Sequence, residues 1–157
     1  MRINLLCIGK TDDKKISELI SYYISRLPKH WNFEILEIPD VKNAKNLTPD
    51  LLKKEEAKLF IQNIENTDLV VLLDEKGKEF TSREFSQKLN LWQNNSIKKI
   101  CFLVGGAYGF ADGIYTRANE KLSLSKMTFT HQMIRLFFVE QIYRADQILQ
   151  GKPYHND

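Results

Sequence analysis

The sequence predicts an α/β fold, a largely parallel sheet flanked by helices. Three observations carry that expectation. Short apolar runs alternate along the chain with stretches of helical periodicity. Two of the runs, residues 69–73 (LVVLL) and 100–104 (ICFLV), are apolar throughout, as strands covered on both faces are. The second run ends in Gly105-Gly106 with Gly109 and Gly113 close behind, so four of the seven glycines fall within nine residues. The loop leaving the carboxyl end of a strand is where an open α/β sheet usually holds a ligand. Glycine lets such a backbone lie against a flat molecule. Tight structural turns would ask for the same glycines, and both readings stand.

Taken in order, Arg2–Ile8 opens as a strand and Gly9-Lys10 ends it. Residues 16–27 carry apolar side chains at 16, 19, 20, 23, 24 and 27, the spacing of a core-facing helix, and Pro28 stops it. Phe33–Ile38 (FEILEI) alternates as a half-exposed strand before Pro39. The polar residues 40–49 read as a loop. Asp50 is expected to cap a helix over 51–64, with Glu55 and Glu56 in its early turns. The strand at 69–73 should stop at Asp74, before a turn at Lys76-Gly77-Lys78. Thr81 with Glu84 fits a capping box opening a helix over 82–92. The strand at 100–104 and the glycine loop precede a short helix at 112–120 and a short strand at 121–125. His131–Leu149 is a long amphipathic helix with Ile134, Phe137, Phe138, Gln141, Ile142 and Ala145 along one side. Gly151 and Pro153 end it and leave the tail 154–157. No repeat, low-complexity stretch or linker interrupts the pattern, so residues 1–157 read as one domain.

Composition narrows the function classes. Hydrophobic residues at 43% and charged residues at 27% are ordinary for a soluble globular protein. Cys7 and Cys101 both sit inside apolar runs, which suggests packed thiols in a reducing compartment, with no metal spacing and no disulfide framework. Residues 1–8 read as a strand rather than a secretory leader, and no run approaches a membrane span. The expectation is a cytoplasmic protein without membrane or metal partners. The net charge of +3 is modest, but beyond residue 97 eight basic residues face five acidic ones. That excess, carried by the same region as the glycine loop, is compatible with a phosphate-rich partner.

At this point the motifs LLDEKGK at 72–78, FLVGGAYG at 102–109, LSLSKMTFTHQMIRLFFVEQIYRA at 122–145 and PYH at 153–155 resemble the RlmH family over essentially the whole chain. These are SPOUT-class, trefoil-knotted RNA methyltransferases. The resemblance implies an α/β domain with a C-terminal trefoil knot, working as a homodimer. It implies transfer of a methyl group from S-adenosylmethionine to N3 of pseudouridine 1915 in 23S ribosomal RNA, in the large subunit or the assembled ribosome. Carried over by position, the cofactor contacts would be Leu73, Gly105 and the wrapping segment Leu124, Ser125, Lys126, Met127, Thr128 and Phe129. One departure stands out. Many members have proline immediately before the helix-starting histidine, where this chain has Thr130, a residue able to cap the helix.

The chemistry asks for a positioned nucleophile and an acceptor for the N3 proton. By residue type His131 is the best general base, or else it is a helix-start histidine touching substrate or backbone. Arg144 pairs with a phosphate in one reading and with Glu140, one turn earlier, in the other; the resemblance favours substrate. Tyr154 could stack on a base and His155 bond to its edge or to a phosphate, against the alternative of a frayed end. Met127 and Phe129 either line a site or simply pack. The helix at 131–149 is apolar over more than one face (Ile134, Leu136, Phe137, Phe138, Val139), which suggests packing on a symmetry mate. Two rivals come from other classes. One is a non-catalytic RNA-binding module. The other is a nucleotide-binding oxidoreductase, for which Gly-Gly-Ala-Tyr-Gly is the wrong motif and lies too late in the chain.

Overall fold

The computed structural model describes residues 1–156; Asp157, the end of the expected tail, lies outside them. The elements are β1 (Arg2–Ile8), α1 (Lys14–Arg26), β2 (Phe33–Ile38), α2 (Pro49–Gln62), β3 (Leu69–Glu79), α3 (Ser82–Asn94), β4 (Lys99–Val104), α4 (Asp112–Arg117), β5 (Glu120–Ser123) and α5 (His131–Leu149). Single 3-10 turns add Lys29–Trp31 and Ala44–Asn46. All five strands pair in parallel, in the order β2-β1-β4-β3-β5. The α/β expectation holds.

Period-two alternation sorts the strand residues into two layers. Ile100, Phe102 and Val104 of β4 pack with Trp31, Phe85, Leu89, Phe138 and Ile142, on the face covered by α1, α3 and α5. Cys101 and Leu103 turn to the other face and meet Phe60, Phe110 and Ile114 of the α2 and α4 side. Burial of this kind pushes the thiols of Cys7 and Cys101 up to about 12, so both are packing groups.

Helix α5 lies centrally on its layer. Phe138, Ile142 and Ala145 enter the sheet core, while Leu136 and Val139 pack on Ile20 of α1. Its apolar breadth is therefore largely used inside the chain. This corrects the argument that the breadth itself signals a partner helix; Phe137, at 37% exposure, and Leu149 at the last position are its large apolar side chains left facing out. The start of α5 is tied to the end of β1 by Arg135, whose buried guanidinium donates to Ile8 O (2.9 Å), Gly9 O (3.1 Å) and Thr11 Oγ1 (2.8 Å). Thr130 caps the helix as expected, accepting from the Met133 N–H at 3.2 Å. Thr130→Ala should lower stability by about 1 kcal/mol with the fold intact, read from urea denaturation midpoints; an unchanged midpoint would mean the cap is idle.

Thr81 and Glu84 form the expected capping box, with reciprocal bonds of 3.2 and 2.7 Å. Two local expectations are corrected. Thr48, not Asp50, caps α2, because Pro49 takes the first helical position and Asp50 falls in the first turn. The break expected after residue 73 is instead a detour: β3 leaves β4 at Leu73 and pairs again with β5 through Lys78–Leu122 and Glu79–Ser123. Gly77 serves that close approach rather than a turn, since a Cβ there would lie 2.6 Å from backbone atoms of Leu122.

Candidate active site

At the carboxyl ends of β3 and β4 the chain encloses a cavity of about 500 Å³. Leu73 and Asp74 bring β3 to its wall, and Val104 with Gly105 and Gly106 bring β4. The segment after β5 folds across the opening. Ser123 Oγ donates to Ser125 O (2.9 Å) and Ser125 Oγ accepts from the Met127 N–H (2.9 Å), which curls residues 123–127 back toward the sheet. Leu124, Ser125, Met127, Thr128 and Phe129 line the cavity, followed by His131 at the first position of α5. The three stretches expected to converge therefore do so. Lys126 points away from this lining, its ammonium 3.9 Å from Glu79 and the side chain 84% exposed.

The glycine loop owes its composition to packing as much as to access. A Cβ on Gly105 would meet the Phe110 ring at 3.2 Å, and one on Gly106 would collide with the carboxylate of Glu56. Gly109 adopts φ +78° and closes the turn through its N–H to Gly106 O (3.0 Å). Glu56 is buried beneath this loop, and that burial, reinforced by Asp40, raises its carboxyl above the usual range.

Charge at the cavity wall is held in place. Asp74 Oδ1 accepts from the Lys76 N–H (2.8 Å), and Asp74 Oδ2 accepts from the Tyr115 phenol (2.6 Å). Burial and then the bond to Asp74 push the phenol of Tyr115 up to about 12, so it remains a donor. Asp74 and Tyr115 escaped the sequence reading. The position of Asp74 just past a strand end was a usable signal, whereas nothing local marks Tyr115.

The remaining expected residues gather elsewhere. Arg144 lies about 20 Å beyond His131 at the α-helical rise of 1.5 Å per residue. Its guanidinium pairs with Glu140 at 2.5 Å, sits 4.9 Å from the Tyr154 ring centroid and meets His155 Nδ1 at 3.3 Å. The Tyr154 phenol donates to Glu140 Oε1 (3.0 Å), and its ring packs edge-on to Tyr143. The tail is docked on α5, and Arg144 has the helix-surface partner of one reading while keeping tail contacts beside it. Within one chain, Arg144, Tyr154 and His155 form a second cluster apart from the cavity.

The family model described as "Predicted SPOUT methyltransferase" matches residues 1–155. The chain belongs to the SPOUT methyltransferase family. Among curated relatives it is similar to proteins named Ribosomal RNA large subunit methyltransferase H. The one from Cytophaga hutchinsonii is 51% identical, covering 99% of this chain and 100% of the relative. The one from Parabacteroides distasonis is 50% identical over the full length of both, and that from Christiangramia forsetii 49% over 99% of each. This SPOUT methyltransferase thus has its strand-end cavity where the family resemblance anticipated the cofactor contacts. Among the described residues no cluster of His, Cys, Asp and Glu could hold a metal ion, and no helix is long and apolar enough to cross a membrane.

Proposed function

We propose that this SPOUT methyltransferase transfers a methyl group from S-adenosylmethionine to N3 of pseudouridine 1915 in 23S ribosomal RNA, in the large subunit or assembled ribosome. It acts in the cytoplasm as a homodimer of single-domain, C-terminally knotted chains. The observation that carries this reading is the convergence of Leu73, Gly105, Leu124, Ser125 and residues 127–129 on one cavity. The name these relatives carry, Ribosomal RNA large subunit methyltransferase H, supports large-subunit ribosomal RNA as the substrate class.

The cavity fits such a donor. Its volume lies in the range that holds a nucleoside-sized molecule. Its wall combines apolar side chains (Leu73, Leu124, Ile134) with the backbone of two loops, as a flat base and a neutral ribose require. S-adenosylmethionine, when bound, supplies a methyl carbon activated by a sulfonium. The chain's own part is positioning: Leu73 and Gly105 bound the base, the curl of 124–129 excludes water, and His131 at the rim accepts the N3 proton or holds the base that loses it.

Arg144, Tyr154 and His155 bind the target RNA by charge and stacking. Their separation from His131 in one chain favours a dimer in which one subunit's tail completes its partner's site. The exposed Phe129–Phe137 pair, with ring centroids 4.8 Å apart beside a 260 Å³ hollow, supports an apolar contact there. The return of the chain from edge strand β5 to α5, packed on α1 and α3, is the path a C-terminal knot would follow.

Ribosomes from a strain lacking this methylation, incubated with the enzyme and labelled donor, should gain label at N3 of that single pseudouridine. Label at another nucleotide, or none, overturns the assignment. Sedimentation at micromolar concentration should give a dimer, and a strictly monomeric species refutes the shared site.

A further inference from the structure

The clamped carboxylate in the cavity wall has no role in the function described so far. Asp74 follows the last residue of β3 paired to β4, and both its oxygens are held, one by the Lys76 N–H and the other by the Tyr115 phenol. Tyr115 is itself fixed, its ring edge-on to Phe110 (centroids 5.9 Å apart), the residue that packs on Gly105. Two bonds leave lone pairs free on each oxygen, so the carboxylate presents fixed negative charge to whatever fills the cavity. Glu75 and Lys76, its lining neighbours, are exposed and nearly cancel.

We infer that Asp74, oriented by Tyr115, makes the pocket select the cationic methyl donor over its neutral product. The inference rests on the S-adenosylmethionine reading. A cavity of about 500 Å³ is about 10 Å across as a sphere, so any bound sulfonium lies within roughly one Debye length of Asp74. Attraction between unit charges at that range favours the sulfonium by about tenfold. Donor and product share the adenosine, the ammonium and the carboxylate, so the contacts of those parts cancel in their ratio, and the change in that ratio on replacing Asp74 reports its charge on the sulfonium. Loss of the sulfonium charge on methyl transfer would then loosen the product and speed its release.

Calorimetry with S-adenosylmethionine and S-adenosylhomocysteine tests this without turnover. Asp74→Asn should weaken donor binding about tenfold and leave the product within about twofold. Tyr115→Phe keeps the ring contacts and the charge but frees the carboxylate; it should lower the donor-to-product preference by about threefold. In the unaltered enzyme, raising KCl should weaken the donor more than the product, a comparison that stands even if Asp74→Asn fails to fold. Equal weakening of both ligands, or no salt difference between them, overturns the inference and leaves Asp74 as a loop brace. If the unaltered enzyme binds neither ligand, the methyltransferase reading falls first and takes this one with it.

Discussion

Removing residues 154–157 is expected to abolish methyl transfer, by at least about 10²-fold, while folding and donor binding persist. Tyr154 and His155 meet Glu140, Tyr143 and Arg144 of α5, and the Tyr154 phenol also bonds to Tyr23 of α1. Neither lines the strand-end cavity. Truncation leaves the Arg144–Glu140 pair intact and removes a ring contact, a cation–π contact and a few part-buried hydrogen bonds, so its cost to stability should stay within about 2–3 kcal/mol. What it removes is an aromatic ring and an imidazole gathered around an arginine, groups suited to a splayed base and its phosphate. Turnover should be followed on ribosomes with labelled donor, alongside calorimetry with the donor and a urea titration. Near-normal turnover by the truncated chain would show the tail to be a structural latch only. Lost donor binding would assign it a part in holding the donor instead.

Features decided by neighbours in sequence were legible, and features decided by distant segments were not. The bounds of β1, β2 and α5 coincide with their sequence expectations, because hydrophobic alternation and a Thr cap are local. The wall of the strand-end cavity was legible through the resemblance and the glycine run, yet the reason for individual glycines was not. Gly106 lacks a side chain because Glu56, from another helix, fills that space, and no window around residue 106 contains that fact. The Asp74–Tyr115 bond likewise joins residues 41 apart in sequence, so neither partner advertises the other. The breadth of α5 was visible, but its cause was misassigned: a helix meeting both a sheet and another helix needs two apolar faces without any second subunit. A dimer has to be argued instead from Phe137 and from the separation of the tail from the cavity.

Gly77→Ala should be the most damaging single methyl in the chain, with a stability loss of about 2–4 kcal/mol. The added Cβ would stand 2.6 Å from both the N and the C of Leu122, and 2.8 Å from the C of Lys121. These are backbone atoms, so no rotamer change relieves the contact. Leu122 is buried and paired with Leu73 on one side of the detour and Lys78 on the other, so β5 must shift as a unit. The segment 124–129 hangs from β5, and its shift should weaken donor binding by tenfold or more, on the scale of a contact misplaced by about 1 Å. Gly113→Ala provides the opposite sign. That glycine lies in α4 with no atom within 4 Å of its would-be Cβ, so alanine should add about 0.5–1 kcal/mol by helix propensity and reduced unfolded-state entropy. Urea denaturation of the pair decides between steric demand at Gly77 and a general tolerance of this fold for alanine. Should Gly77→Ala match the unaltered protein in midpoint and donor affinity, β3 and β5 can slide apart freely, and the cavity wall is not set by their register.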